Sequence, residues 1–585
     1  MSKCETLAWQ SVQWPQVNQR IARLQRRIYQ ATKDGKRRKI RFLQRTLLAS
    51  LDAKLLATRR VTTENKGRNT AGVDGLKKLT PEQKAALAYS IRLDGKAMPI
   101  RRTYVPKPGR KEQRPLGIPT IRDRAKQALV KLALEPQWEA IFEANSYGFR
   151  PGRSCHDAIS AIYLNLHGGR HRYILDADIA KCFDRIDHDA LIQKLDTFPA
   201  LENQVRAWLK ADIMYGYANR PKSVEVSIMG TPQGGVLSPL LSNIALHGME
   251  EYLKDWYANE HYPTLDGADK RVANRDRRRQ LAVVRYADDF VVIADAQHTI
   301  DEARTKVEEF LSTVGLELSP EKTNTRHSTK GFNFLGFRLI CIQEGSKHKS
   351  YLKVHISKES KQKLLTKVSN IVHSNRSASS YALIKKLAPV IIGWANYFRF
   401  CQCSKDFGQV NYAIYGMIRA WVFRRRSKGL RSRTDIKLKY FPEGKTYTFQ
   451  GKQHQDNWIL HGRTTSNTGE KREAFLPKIT WVISKQHVKV MGTKSPYDGD
   501  IVYWGERTKQ FTGKNARLTT LLTRQDCRCK LCGKQFWPEC QIEVDHIIAT
   551  ADGGNDGWDN LQAVHKACHV QKTRREFLER KKHMA

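Results

Sequence analysis

The chain has 585 residues, enough for three or four domains. Its 40% hydrophobic content, with 12 Trp, 21 Tyr and 20 Phe, excludes a disordered chain. The 102 Lys and Arg against 58 Asp and Glu leave a formal charge of +44, which calls for a polyanionic partner, nucleic acid first.

No apolar run approaches the ~18 residues of a membrane span, and MSKCETLAWQ does not read as a signal peptide. No membrane association is expected. The 11 cysteines are scattered until CRCKLC begins at residue 527, which reads as a metal site in a reducing compartment and not a disulfide framework.

In chain order, residues 15–60 predict two basic helices. Ile21, Leu24 and Ile28 make one apolar stripe, and Leu43, Leu47, Leu51 and Leu55 make another at i+4 spacing. Their charged faces suit RNA as well as water. NKGRNTAGVDG (65–75) predicts a Gly-rich loop, and helices then alternate with short strands to about residue 337, an α+β pattern. YILDADIAKCF and LAVVRYADDFVVIA are the clearest strands, and both deliver aspartates. ADKRVANRDRRRQ (268–280) reads as a charged loop. In APVIIGWANYFRF, Val390, Ile391, Trp394, Tyr397 and Phe398 share one helix face and predict core. WVFRRRSKGLRSRTDIKLKY (421–440) carries eight basic residues and one acidic, and its interleaved aromatics suit a nucleic-acid surface or a solvated face. Residues 441–510 are uninformative, and a compact Cys/His unit follows from about 515.

Asp178 ends one predicted strand, and Asp288 and Asp289 occupy a predicted hairpin tip. Three converging carboxylates repel unless cations neutralise them. Mg²⁺ takes oxygen ligands and leaves positions open for phosphates, and two such ions suit in-line displacement at a nucleotide. Asp-Asp at a turn is more often an Asx turn, so the neighbours matter. GTPQGGVLSPLLSNIAL (230–246) is a Gly-rich loop before a helix. VPKPGRKEQRPLGIPT (105–120) offers Lys107 and Arg114 to a triphosphate, and SYGFRPGRSCHDAI (146–159) adds Arg150 and Arg153.

In this order these segments resemble the reverse transcriptases encoded within group II introns, over roughly residues 60–400. NKGRNTAGVDG resembles the family's extra N-terminal block, GLELSPEKT and GFNFLGF its last palm blocks, and APVIIGWANYFR its maturase thumb. The resemblance implies that Asp178, Asp288 and Asp289 hold Mg²⁺ with the carbonyl of Ile179, and that Asp288 touches both ions. It implies that Phe183 excludes a nucleotide 2′-hydroxyl, that Gln233 lines the nucleotide site and that Lys322 assists proton transfer to pyrophosphate. From spacing alone, a core Phe is the simpler reading of Phe183.

At the C-terminal end, Cys529-x-x-Cys532 and His565-x-x-Cys568 suit one tetrahedral Zn²⁺, with Cys527 and Cys540 as substitutes. VDHI, then Asp559-Asn560, then His569 resembles the HNH nuclease unit found on many group II intron proteins, with His565 where a cysteine is usual. By that resemblance His546 is the general base, Asp545 and His569 hold a divalent ion, and Asn560 orients the loop or joins the metal shell. A purely structural zinc ribbon would leave Asp545, His546, Asn560 and His569 without a role.

The expected whole is a multidomain α+β protein. It comprises a basic helical extension (1–60), right-hand-like fingers and palm (61–340), a helical thumb (341–410), a basic DNA-binding region (411–510) and a zinc-containing ββα HNH domain (511–585). Its expected partners are a group II intron RNA, target DNA and dNTPs, in the nucleoid of a bacterial cytoplasm or in an organelle. The alternative is a splicing-only maturase with a vestigial polymerase.

Overall fold

The computed structural model describes residues 9–106, 113–167, 172–260, 277–344, 349–425, 432–465, 471–500, 503–504, 507, 516–536 and 542–584. Lys107, Cys540, most of the 268–280 loop and residues 426–431 of the basic run lie outside them.

The N-terminal part has three helices, Trp14–Lys33, Arg37–Ala49 and Leu51–Arg59, where the sequence predicted two. Ser50 takes an extended conformation (φ −63°, ψ 128°) and breaks the second stripe. Leu43, Leu47 and Leu55 are buried, whereas Leu51, just past the break, is 37% exposed. The 65–75 loop folds as a short turn, Lys66–Asn69. Arg124, on the long buried helix Ile121–Ile141, donates to the carbonyls of Gly67 and Thr70 and holds the turn down.

Strands β1 (Ile100–Pro106) and β2 (Gln113–Ile118) form an antiparallel hairpin. The centre of the molecule is set by β3 (Tyr173–Asp178). β4 (Ile213–Tyr217) and β5 (Arg220–Glu225) extend the first hairpin into a four-stranded sheet, order β2-β1-β4-β5. β6 (Ala282–Tyr286), β7 (Asp289–Ala294) and β8 (Asn324–His327) join β3 in a second, antiparallel sheet, order β6-β7-β3-β8.

This central sheet explains why its strands read as unbroken apolar runs. Side chains alternate between its faces, and both faces are covered. Leu175, Ala177, Val283, Phe290, Val292 and Ala294 enter one hydrophobic core, with the helices Ile121–Ile141 and Gln297–Ser312. Ile174, Ala282, Val284, Val291 and Ile293 enter the other, with the helix Cys155–Leu166 and the helices beyond residue 358. A fully buried Val, Ile or Phe contributes about 1.5–3 kcal/mol, so burial on both faces holds β3 and β7 firmly.

Beyond the sheet lie β9 (Phe332–Phe334), β10 (Phe337–Glu344) and β11 (Lys349–Ile356), then the helices Lys358–Ser374, Ser380–Phe398 and Ser404–Phe423. Ile391 and Phe398 are buried, and Val390, Trp394 and Tyr397 pack against the same core, as the sequence predicted. The aromatics of the basic run are also core: Trp421 and Tyr440 are buried, so they do not face a nucleic acid. Arg425 lies over the Trp421 ring and donates to the carbonyls of Arg376 and Ala378, a structural placement.

Residues 441–507 have more order than their sequence suggests. Two hairpins, β12–β13 (Thr446–Phe449, Lys452–Gln455) and β14–β15 (His461–Thr465, Lys471–Phe475), precede a segment that lies across Asp157. Asp157 accepts from His487, Val490 N and Arg507, which hold its carboxyl well below the usual range despite burial. At the C-terminal end, β16 (Ile542–His546) and β17 (Leu561–His565) pair antiparallel and run into the helix Lys566–Met584, a ββα unit with its own core. Among the described residues no helix is long and apolar enough to cross a membrane.

Candidate active sites

The hairpin β6–β7 turns in two residues, Ala287 and Asp288, because Tyr286 pairs with Asp289. Ala287 has φ +61°, a conformation usually given to Gly at the first position of such a turn. A non-Gly residue there costs on the order of 1–3 kcal/mol and persists only where its surroundings over-determine it. They do so here. Tyr147 N donates to Arg285 O and Arg285 N to Asn145 O, both at 2.9 Å. The buried Arg285 guanidinium reaches the Asn243 side chain (3.0 Å) and Ala287 O (3.3 Å), with Glu143 4.0 Å away. A Cβ on Gly148 would stand 2.3 Å from Ala287 N. Gly148→Ala is therefore expected to displace the tip. We expect about a hundredfold loss of primer extension and a destabilisation of about 1–3 kcal/mol in thermal unfolding.

The brace places the aspartates together. Asp178 and Asp289 are directly opposed across β3 and β7, and Ile179 N donates to Asp288 O at 3.2 Å, tying the end of β3 to the tip. Burial, then Asp178, raises the Asp288 carboxyl. Burial, then Asp288 and Asp178, pushes Asp289 up to about 7. Such a group of carboxylates is short of positive charge. Lys322 supplies part of it, 2.6 Å from Asp178, and is delivered by the GLELSPEKT segment through Ser319 N to Asp178 O (2.8 Å). Arg114 on β2 acts in the same sense on Asp288.

Phe183 sits on the short helix Cys182–Arg185, half-buried and outside both cores. The GTPQGG loop packs behind it, with Thr231 N donating to Phe183 O and Gly230 N to Ile186 O (2.8 Å). Gly230, at φ +82°, has the backbone of Asp184 within 2.6 Å of where a Cβ would be, so only Gly fits. Gln233 accepts from Gly117 N (2.7 Å) and lies 3.5 Å from Asp184, bridging β2 to the Phe183 helix. A cavity of about 230 Å³ opens between Phe183, Arg102 and Pro115.

Two arginines offered to a triphosphate are placed otherwise. Arg150 is buried against Glu139 (2.9 and 3.0 Å) and the carbonyls of Glu143 and Ser146. Arg153 donates to the carbonyls of Ala144, Gly492 and Lys494. Both brace the fold: the buried Arg150 uses all three of its nitrogens on Glu139 and main-chain carbonyls, and Arg153 ties residue 144 to the 492–494 segment.

In the C-terminal unit, Cys529, Cys532, His565 and Cys568 bring their ligand atoms within 4.8 Å of one another. Hydrogen bonds from Cys532 and Cys568 push the Cys529 thiol down, which favours the thiolate that a cation takes as ligand. Cys527 stands outside that group, in the unit's core. A second cluster lies across β16 and the last helix. His569 is 2.8 Å from Glu543 and 3.3 Å from Asp545, and Asp545 also accepts from Gln562 (2.9 Å) and Lys572 (3.0 Å). His546 Nε2 is 2.7 Å from Asp556. Asn560 differs from the metal-shell expectation. Its carbonyl accepts from Ile548 N (2.8 Å) and its amide donates to the carbonyls of Ile548 and Asn555 (3.0 and 2.7 Å), so both ends hold the His546 loop.

Glu543, Asp556 and Lys572 were not singled out from the sequence. Two of them had a readable signal: Glu543 is two residues before Asp545 on a strand, and Lys572 is three after His569 on a helix, so each shares its neighbour's face.

A braced carboxylate centre and a ββα metal-binding unit in one basic chain define a nucleic-acid enzyme with two sites. Residues 105–339 match the reverse transcriptase (RNA-dependent DNA polymerase) family, and 9–91 match the N-terminal domain of reverse transcriptase. Residues 361–441 match the group II intron maturase-specific domain, and 529–575 match HNH endonuclease. The chain is 35% identical to Protein YkfC of Escherichia coli (strain K12) over 311 residues, 48% of this chain and 78% of that one. It is 31% identical to the group II intron-encoded protein LtrA of Lactococcus lactis subsp. cremoris over 331 residues, 48% of this chain and about half (54%) of that one. Maturase-like protein 1 of Euglena gracilis is 25% identical over 413 residues, 70% of this chain and 80% of that one. The chain belongs to the group II intron-encoded reverse transcriptase–maturases that carry an HNH endonuclease domain.

Proposed function

We propose that this protein binds and helps splice its intron RNA, nicks target DNA with its HNH unit and copies the RNA into DNA from the nick. The observation that carries the reading is that the end of β3 brings Asp178 to Asp288 and Asp289 on the braced β6–β7 hairpin. The β1-β2-β4-β5 sheet serves as fingers, the central sheet as palm and the helices from residue 358 as thumb. The three carboxylates and the Ile179 carbonyl would hold two Mg²⁺ ions, which would supply charge neutralisation to the primer hydroxyl and the departing pyrophosphate. Lys322 and Arg114 steady the phosphate charge, Phe183 stands against the sugar and Gln233 holds the loop behind it. Failure of the wild type to extend a DNA primer on an RNA template with Mg²⁺ would refute this.

Asp289, at about 7, carries a proton that competes with the cation. Below pH 7 the Mg²⁺ needed for half-maximal extension is expected to rise by about tenfold per pH unit. A requirement flat from pH 8 to 6 would count against the assignment.

In the HNH unit His546 would act as base, Asp545 and His569 would hold a divalent ion that supplies charge to the scissile phosphate, and Asn560 keeps the His546 loop in shape. The three-cysteine, one-histidine set would hold a structural Zn²⁺. His546→Ala is expected to lower DNA nicking by about 10²–10⁴-fold and to leave primer extension unchanged. Parallel loss of both in the same preparation would mean that His546 is structural. The expected place of action is a bacterial nucleoid, where intron RNA and target DNA meet.

A further inference from the structure

The FRPGRS segment has a role that its arginines do not explain. Phe149 holds φ +60°, is 50% exposed and lies outside both hydrophobic cores. A bulky residue on the left-handed side of the backbone, half in water, costs stability and gains no core packing. Its ring meets one functional ring: Phe183, centroid to centroid 6.1 Å, edge to face at 72°.

The main chain on either side of Phe149 is locked. Before it, Gly148 is pressed on Ala287 and its carbonyl accepts from Asn243 (2.8 Å). After it, Arg150 is fixed on Glu139. The other side of the contact is less constrained. The Phe183 helix starts from Lys181 at φ +46° and its carbonyl is held by Thr231, which fixes the main chain and not the ring. A wall against a 2′-hydroxyl discriminates only if it resists being turned aside. Phe149 stands where it provides that resistance, and one short segment, 145–150, thereby couples the aspartate turn to the sugar wall.

We infer that Phe149 is a positioning residue for sugar selectivity, stiffening Phe183 so that deoxynucleotides are preferred over ribonucleotides. This rests on the reading of Phe183 as the sugar wall. The test is single-nucleotide primer extension with the full chain on one RNA template, taking the ratio of kcat/KM for a dNTP to that for the matching rNTP. The ratio is insensitive to how much enzyme is folded, since both nucleotides meet the same preparation. Phe183→Val is expected to lower the ratio by about a hundredfold. Phe149→Ala is expected to lower it by about tenfold, which corresponds to about 1.4 kcal/mol, and Phe149→Leu by less. The double variant is expected to match Phe183→Val alone, because Phe149 acts through that ring. An unchanged ratio in both Phe149 variants, with Phe183→Val relaxed, would overturn the proposal. So would a change confined to the KM for template-primer, or single effects that multiply. An unchanged ratio in Phe183→Val would instead remove the reading beneath it, and the proposal with it.

Discussion

Alanine at both Asp288 and Asp289 is expected to lower primer extension by on the order of a thousandfold or more, while intron RNA binding stays near normal. The size follows from the chemistry. Preorganised charge at the reacting phosphate is worth about 10²–10³ for a single group, and here two of the three carboxylates that would hold the cations are removed. The same change is expected to keep the protein folded or make it slightly more stable. Burial raises both carboxyls, and Asp178 adds to it at each and Asp288 at Asp289, so in the absence of cation they are a cost to the fold. A melting temperature that holds or rises by about 2 °C, together with lost extension, is the outcome that assigns them to function. A fall in melting temperature with loss of RNA binding would show that they hold the hairpin together instead.

Removing the metal from the C-terminal unit is the second large effect. That unit's core has few members, among them Leu518, Leu522, Phe536, Ile542, Leu561 and Val564. A core this small does not sustain a domain without a staple. A structural zinc contributes about 10–16 kcal/mol of apparent binding energy, far more than those side chains supply. Cys529→Ser with Cys532→Ser is therefore expected to unfold residues 516–584 and abolish DNA nicking. Primer extension is expected to persist, because the central sheet packs in two separate cores. Metal analysis of the wild type should find about one zinc per chain; a protein that nicks DNA and retains no metal would remove the ligand assignment.

The placement of the three aspartates was legible in the sequence because strand chemistry is local. YILDAD ends in an acid, RYADDFVVIA carries two acids between apolar runs, and a two-residue hairpin leaves little choice about where Asp288 and Asp289 lie. The Cys/His set was legible for the same reason: two short pairs with fixed spacing each fold as a unit, and the ββα arrangement brings the pairs together. The errors fell where a side chain's partner is distant in sequence. Arg150 and Arg153 read as phosphate ligands because basic residues in a Gly/Pro loop usually face water, yet Glu139 and the carbonyls of Gly492 and Lys494 take them. Trp421 and Tyr440 suited a binding surface or a solvated face because they stand among arginines, yet the helices Ser404–Phe423 and Arg433–Tyr440 turn them inward. Asn560 was left between two roles until Ile548 and Asn555 claimed both ends of its amide.

The sequence by itself thus determined the chemical groups available: three carboxylates at strand ends and a hairpin tip, a Cys/His set and a basic chain. Only the tertiary structure decided how those groups are held. The strained Ala287 turn, the Gly148 contact beneath it and the Phe149–Phe183 pair join residues more than 30 positions apart. Periodicity records which face a residue takes, whereas the stiffness of a site depends on which distant backbone leaves it no room to move.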